Sequence, residues 1–164
     1  IIVGKKKFID LCKKNPLTRA VRVDKFTLAA LEGTLKYYLD EDKAINEIPT
    51  LRMLTTPIDK LSEKAEVLKR LICENISEDY LHIDVEDGYS EVGGGSLPME
   101  KLPSKCIVLN IKSLSLNEFE KRLRSYEVPV IARLYKERVY FDLRTIDEEE
   151  FGLILDAIRY ALEC

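Results

Sequence analysis

The chain has 164 residues, of which 46% are hydrophobic, so it can bury at least one core in one or two small domains. Its 26 basic and 29 acidic residues leave a net charge of −3, and any contact with RNA therefore has to be local. The four cysteines are widely separated and there is one histidine, so we expect no metal site and reduced, mostly core thiols. Because no apolar run approaches the roughly 20 residues that span a bilayer, we expect a cytoplasmic protein without a membrane partner.

The first residues favour a strand followed by a short helix. Residues 1–4 are an apolar, β-branched run typical of a buried strand. An isolated strand leaves its backbone groups unpaired, so we expect the chain to be a fragment or a processed chain whose sheet neighbours precede it. A short helix is predicted over 5–14, since Asn15-Pro16 ends it, and residues 17–23 read as a polar loop.

Two longer helices are predicted next. Asp24 is a candidate N-cap for a helix that extends to about Leu39. Thr56 followed by Pro57 predicts a second helix that ends near Asn75, and its length suits a connector between domains. The apolar stripe of this second helix consists of Leu61, Ala65, Leu68 and Ile72. Residues 48–55 show no clear period and contain a proline, so we expect a loop there.

From Tyr80 the pattern changes to β-type segments, which predicts a second domain. Strands are expected over 80–92 and 106–111, with a glycine-rich loop at 93–98 between them. Ser115 with Glu118, and Asp147 with Glu150, each form a capping box that opens a helix. Between these helices we expect a hairpin, which gives the element order β-β-α-β-β-α.

The hairpin is expected to turn at Lys136-Glu137, although neither residue favours the positive φ that a two-residue turn needs. On its apolar face, the residues Val130, Ala132 and Leu134 would lie opposite Leu143, Phe141 and Val139. On its other face the same register places Arg133, Tyr140, Asp142 and Arg144. The hairpin should therefore cover the two helices with one face and present polar side chains on the other.

Five segments, in this order, resemble the bacterial selenocysteine synthase family: IIVGKK at 1–6, NPLTRAVRVDK at 15–25, IPTLRML at 48–54, GGGSLP at 93–98 and FDLRT at 141–145. The resemblance implies an α/β, type I pyridoxal-phosphate (PLP) fold, of which this chain would be the α+β carboxy-terminal part. Residues 1–55 would then belong to the large PLP-binding domain and 56–78 to a connecting helix. Residues 79–164 would form a small domain with helices on one face of a mainly antiparallel sheet.

The resemblance also implies a function for the complete protein. Members convert L-seryl-tRNA(Sec) to L-selenocysteinyl-tRNA(Sec) with selenophosphate as donor, through an aminoacrylate on PLP, and form homo-oligomers built from dimers. The Schiff-base lysine lies upstream of the opening strand in this family, so neither Lys5 nor Lys6 takes that role. We therefore expect no catalytic residue in this chain, no PLP bound by it, and no activity from it alone.

Arg19 and Arg22 are the main candidate site residues. Two guanidiniums beside a helix start can hold a tetrahedral anion with bidentate hydrogen bonds. The alternative is a pair of solvated arginines near a loop. The resemblance favours the first interpretation, because the matching arginines of the family are implicated in binding selenophosphate.

Weaker candidates for a pocket or an RNA contact are Arg133, Arg144, Gly94 and Ser96. A salt bridge with Asp142 across the sheet face would explain either arginine equally well. The glycine-rich loop could aim backbone amides at an anion or be a plain connection. Two other functions stay open: a PLP-dependent lyase of the same family that acts on a small amino acid or sugar acid, and a stand-alone anion-binding or interaction domain.

Overall fold

The computed structural model describes residues 2–92 and 97–163, and its contacts divide the chain into two compact units, Ile1–Pro49 and Thr50–Cys164. The first unit is helical. Its helices are α1 (Lys6–Lys14), α2 (Leu17–Ala20), α3 (Lys25–Tyr37) and α4 (Glu41–Glu47). The predicted helices over 5–14 and from Asp24 are confirmed, and Asp24 caps α3 by accepting a hydrogen bond from the Thr27 amide.

Two predictions in the first unit are wrong. Ile2 and Val3, expected in a buried strand, lie in irregular backbone and are 75% and 86% exposed. No strand within the described residues lies beside them to pair their backbone groups, and β-propensity alone does not form a strand. Part of the expected loop at 17–23 is the helix α2, which is one turn long and follows Pro16.

The first unit buries very little apolar surface. Among its described residues Ala44 is the buried hydrophobic side chain, at 3% exposure. The large apolar side chains that stay exposed include Phe8, Leu11, Leu17, Val21, Val23, Phe26, Leu28, Leu31, Leu35 and Leu39. Burial of apolar surface is the main stabilising term in folding, so the helices of this unit lack most of the packing that helices of globular domains have.

The described residues of the second unit form four further helices. These are α5 (Pro49–Thr55), which starts at the unit boundary, α6 (Ile58–Asn75), α7 (Leu116–Ser125) and α8 (Phe151–Glu163), the last preceded by a 3-10 turn at Glu148–Glu150. The loop expected over 48–55 is therefore wrong, because Pro49 occupies a first-turn position where its missing N–H costs nothing. Thr56 does not cap α6. Its hydroxyl donates to the Arg52 carbonyl at 2.7 Å instead.

The four strands of the second unit form one antiparallel sheet in the order β1-β2-β4-β3. They are β1 (Leu81–Val92), β2 (Leu97–Ile111), β3 (Arg133–Tyr135) and β4 (Arg138–Asp142). The predicted element order is confirmed, but β2 begins nine residues before the predicted strand and includes Leu97 and Pro98. Residues 93–96 of the expected glycine-rich loop lie outside the described residues.

One face of the sheet and three helices form the core of the second unit. The predicted stripe of α6 is fully buried there, together with α7, α8 and alternate residues of the sheet such as Ile107, Leu109 and Phe141. The capping box expected at Asp147 and Glu150 is present with both of its hydrogen bonds, whereas at Ser115 the side chain accepts from the Glu118 amide without the reciprocal bond to the Glu118 side chain. The helices thus lie on one face of the sheet, as predicted.

The hairpin turns at Lys136 and Glu137, which both have positive φ, 48° and 59°. Leu134 lies opposite Val139, so the predicted register is confirmed for this pair, but the expected pairs of Ala132 with Phe141 and Val130 with Leu143 do not form. The ladder, however, stops at Arg133, because the amide of Val130 donates to the Leu123 carbonyl at 3.0 Å rather than to a strand. Among the helices that the structure describes, none is long and apolar enough to cross a bilayer.

Candidate functional site

Arg19 and Arg22 lie on exposed backbone between two helices. Arg19 is in α2, and Arg22 follows in the short link to α3. In the range 2–92 and 97–163, no ion pair or side-chain hydrogen bond uses either guanidinium. Both side chains therefore have their donors available for a ligand.

The backbone around these arginines is fixed by side-chain hydrogen bonds. The side-chain oxygen of Asn15 accepts from the Leu17 amide at 3.0 Å, and the Thr18 hydroxyl donates to the Cys12 carbonyl at 2.5 Å. The Val21 amide closes α2 by donating to the Leu17 carbonyl at 3.0 Å. These bonds connect α2 to the end of α1, so the backbone that carries the Arg19 side chain is held in place.

The start of α3 is already occupied by a carboxylate. Oδ1 of Asp24 accepts from the Thr27 amide at 2.7 Å, and this backbone hydrogen bond is the main reason that the pKa of Asp24 is lowered. An external anion would meet the negative charge of Asp24 at this helix terminus. The anion site expected here thus depends on the two guanidiniums and not on the amides of α3.

Arg144 is not the exposed polar-face residue that the hairpin pattern suggested, since it is only 7% exposed. Its Nη1 donates to the carbonyls of Met53 at 2.7 Å and Thr56 at 3.1 Å, and its Nη2 donates to the Pro103 carbonyl at 2.5 Å. Burial lowers the pKa of Arg144. The guanidinium thus satisfies carbonyls at and just beyond the end of α5, and it connects this end to β2.

Asp142 does not form the cross-face salt bridge considered for the two arginines. Its carboxylate accepts hydrogen bonds from the hydroxyls of Ser90 and Ser104, each at 2.5 Å, and from the Arg144 amide at 3.1 Å. Both serines are buried. The carboxylate therefore joins β1, β2 and the turn after β4, and no guanidinium of the described residues forms an ion pair with it.

Arg133 is exposed and lies over the ring of Tyr140, with Cζ 5.4 Å from the ring centroid. Tyr140 is 7% exposed and packs with Cys106 and Val108 on the sheet face opposite the main core. On the same face, Arg138 forms an ion pair with Glu86 at 2.5 Å. Sequence reasoning placed Arg133 correctly on the polar face but missed the Glu86 to Arg138 pair, whose two residues are far apart in the chain.

Lys64 is the residue to compare with a PLP-binding lysine, because it is partly buried and burial lowers its pKa. Its Nζ, however, donates to the carbonyls of Leu143, at 2.9 Å, and Ile146. An amine held by two carbonyls in the turn region after β4 is structural. Lys64 therefore does not fit the role of a PLP-binding lysine.

The remaining predicted residues give less information. Gly94 and Ser96 lie outside the described residues. Cys12 and Cys73 are exposed and Cys106 is buried, so the expectation of mostly core thiols is wrong for the three described cysteines. Within 2–92 and 97–163, no group of three or more His, Cys, Asp and Glu side chains is arranged to hold a metal ion.

The structure consists of a helical unit and an α+β unit, and the helical unit carries Arg19 and Arg22, which form no ion pair among the described residues. The model of one family, L-seryl-tRNA selenium transferase, matches residues 1–147, and the chain belongs to this family. The predicted resemblance and fold class are thereby confirmed.

The chain is also similar to proteins that are themselves named L-seryl-tRNA(Sec) selenium transferase. L-seryl-tRNA(Sec) selenium transferase of Alkaliphilus metalliredigens is 51% identical over 159 residues, which is 97% of this chain and 34% of the relative. The protein of the same name from Clostridium perfringens is 51% identical over 161 residues, with 97% and 34% covered. That of Clostridium botulinum is 44% identical over 163 residues, with 99% and 35% covered. The chain spans about a third of the length of the curated relatives it matches, in their carboxy-terminal part.

Proposed function

We propose that this chain is the carboxy-terminal part of an enzyme that converts L-seryl-tRNA(Sec) to L-selenocysteinyl-tRNA(Sec) with selenophosphate as donor. The observation that carries the proposal is the identity of about half of all positions, over nearly the whole chain, to proteins named for this reaction. PLP would supply the electron sink of the complete enzyme, and its binding residues would lie outside this span. We place the complete enzyme in the cytoplasm, as a homo-oligomer built from dimers.

Within this function, Arg19 and Arg22 bind the anionic donor. A guanidinium stays charged at all physiological pH values and can donate two parallel hydrogen bonds to a phosphate group. Neither side chain has a carboxylate partner in the described residues, so no ion pair has to break before the anion binds. Two cations of this kind would hold the phosphate while selenium reaches the acceptor.

Three parts of the chain would have different tasks in the complete enzyme. We assign residues 1–55 to a large domain, 56–78 to a connecting helix and 79–164 to a small domain, so the first part combines the first unit with α5. The exposed apolar side chains of α1 and α3 support the first assignment, because they are available to pack against other residues of a protein about three times as long. Packing of this kind would give the first unit the buried surface that it lacks.

The test uses the full-length enzyme with Arg19→Ala, Arg22→Ala and the matching lysine variants. Since a hydrogen bond to a charged group contributes about 1.5–3 kcal/mol, each alanine variant should raise KM for selenophosphate about 10-fold or more. The lysine variants should recover part of the loss, because they keep the charge without the bidentate geometry. Lys14→Ala, which removes an exposed cation of α1, is the matched control and should leave KM unchanged.

Two results would contradict the proposal. If Arg19→Ala and Arg22→Ala lose PLP absorbance as much as they lose use of selenophosphate, the arginines have a structural role. If the full-length protein acts on a free amino acid or sugar acid and leaves seryl-tRNA(Sec) unchanged, the lyase alternative replaces the transferase.

A further inference from the structure

The β3–β4 hairpin presents aromatic rings and cations in alternation on one sheet face. The cross-strand pairs are Arg133 with Tyr140 and Tyr135 with Arg138, so all four side chains lie on the same face. The guanidiniums of Arg133 and Arg138 are each 5.4 Å from the centroid of the Tyr140 ring. Nζ of Lys136 is 5.3 Å from the centroid of Tyr135. We call the exposed members Arg133, Tyr135 and Lys136 the hairpin platform.

Arg138, Tyr140 and Glu86, which lie next to the hairpin platform, form a hydrogen-bond network that supports it. Arg138 donates to Glu86 at 2.5 Å and to the hydroxyl of Tyr140 at 2.7 Å, and that hydroxyl is 3.3 Å from the second Glu86 oxygen. The charge of Arg138 is therefore compensated, and the hydroxyl of Tyr140 is held by Arg138 and Glu86. The centroid of the held ring lies 5.4 Å from Cζ of Arg133, within the range of a cation–π contact.

The platform itself is available to a ligand. Tyr135 is 53% exposed. Its ring is 6.0 Å from that of Tyr140 in an edge-on arrangement, and Nζ of Lys136 lies 5.3 Å from its centroid, so a base that stacks on Tyr135 would displace the exposed Lys136 side chain toward the phosphates. Over the described part of the chain, neither Arg133 nor Lys136 forms an ion pair. Among the acidic groups of this face, Glu86 is paired with Arg138, Asp84 lies 3.4 Å from His82, and Asp142 accepts hydrogen bonds from Ser90 and Ser104. Glu137 in the turn is the exposed carboxylate next to the platform.

An accessible aromatic ring between two unpaired cations fits an unpaired nucleotide. A base stacks on the ring whatever its identity, and the flanking phosphates are attracted by the cations. Because the net charge of the chain is −3, attraction of a polyanion has to come from a local group of cations such as this one. We propose that the hairpin platform binds an unpaired nucleotide of the RNA substrate, with the base on Tyr135 and phosphates at Arg133 and Lys136. This inference rests on the proposed function, from which the RNA partner is taken.

The experiment measures binding of unacylated tRNA(Sec) to the full-length enzyme over a series of salt concentrations. Tyr135→Ala should weaken binding about 10-fold at every salt concentration, whereas Tyr135→Phe, which keeps the ring, should bind as the wild type does. Arg133→Ala should weaken binding and also reduce the slope of log K against log salt by about 0.7–0.9, since one phosphate contact is lost. Tyr89→Ala, at a 58% exposed tyrosine of β1, is the matched control and should change neither quantity.

The outcomes separate this inference from the proposed function. If the wild type transfers selenium to tRNA while Tyr135→Ala and Arg133→Ala bind tRNA normally, the platform inference is overturned and the proposed function stands. If Tyr135→Ala loses activity at unchanged tRNA affinity, the platform contacts protein instead of RNA, and the inference is also overturned. If the wild type neither binds tRNA(Sec) nor transfers selenium, both proposals fail.

Discussion

Replacing Arg144 with alanine should destabilise the second unit more than any exposed arginine replacement. The guanidinium donates to three backbone carbonyls at 3.1 Å or less, those of Met53, Thr56 and Pro103. A hydrogen bond to a charged group contributes about 1.5–3 kcal/mol, and part of the loss is recovered when water reaches the freed carbonyls. Counting two of the three bonds as lost, we expect the free energy of unfolding to fall by about 3 kcal/mol.

Urea denaturation, monitored by far-UV circular dichroism, measures this change. The variant Arg144→Lys tests whether the positive charge alone is sufficient. A lysine ammonium is a single donor centre, whereas the arginine serves Met53 through Nη1 and Pro103 through Nη2, so the lysine variant should recover less than half of the loss. Arg124→Ala, at a 51% exposed side chain paired with Glu120, is the control and should cost below about 0.5 kcal/mol. A loss no larger for Arg144→Ala than for this control would refute the reasoning.

The remaining predictions concern the buried thiol of β2. Gly88→Ala should destabilise the protein by about 1–3 kcal/mol, because the new Cβ would lie 2.8 Å from Sγ of Cys106, and adding Cys106→Ala should restore most of the loss in the same denaturation assay. Burial raises the pKa of Cys106 to about 11, so at pH 8 iodoacetamide should label exposed Cys73 in the native protein and Cys106 only in urea. Because the raised pKa belongs to the folded state, its contribution to stability is present below about pH 9 and is lost as the pH rises toward 11. Labelling of Cys106 at the native rate of Cys73 would show that the β2 thiol is accessible.

The parts of the fold that the sequence predicts are those with a local or strictly periodic signal. The stripe on α6 repeats every three or four residues, and each of its members is fully buried. The register of the hairpin follows from alternation, which places Leu134 opposite Val139 even though Lys-Glu is an unfavourable turn. The cost of positive φ at Lys136 and Glu137 is offset by the pairing of the flanking strands. Turn propensities of single residues do not include this stabilisation.

The predictions for residues 1–4 and for α5 are wrong because local sequence does not determine these segments. Residues 1–4 have strand propensity, yet a strand needs a neighbour, and no described strand lies beside them. The sequence predicts a loop at α5 because it contains Pro49 and precedes Pro57, while the last carbonyls of the helix are satisfied by Arg144, about 90 residues away. For α5 the deciding interaction is therefore distant in sequence, and no window of neighbouring residues contains it.

Interactions between residues distant in sequence also decide which of the candidate arginines can bind a ligand. Arg133 and Arg144 follow the same alternation and were assigned to the same polar face, so the pattern treats them alike. The structure separates them by their hydrogen bonds: both terminal nitrogens of Arg144 already donate to carbonyls, whereas Arg133 makes no such bond among the described residues. Binding a phosphate through Arg144 would first expose three carbonyls and melt the end of α5. Arg133 requires no such rearrangement, and for this reason the RNA contact is placed on the hairpin platform.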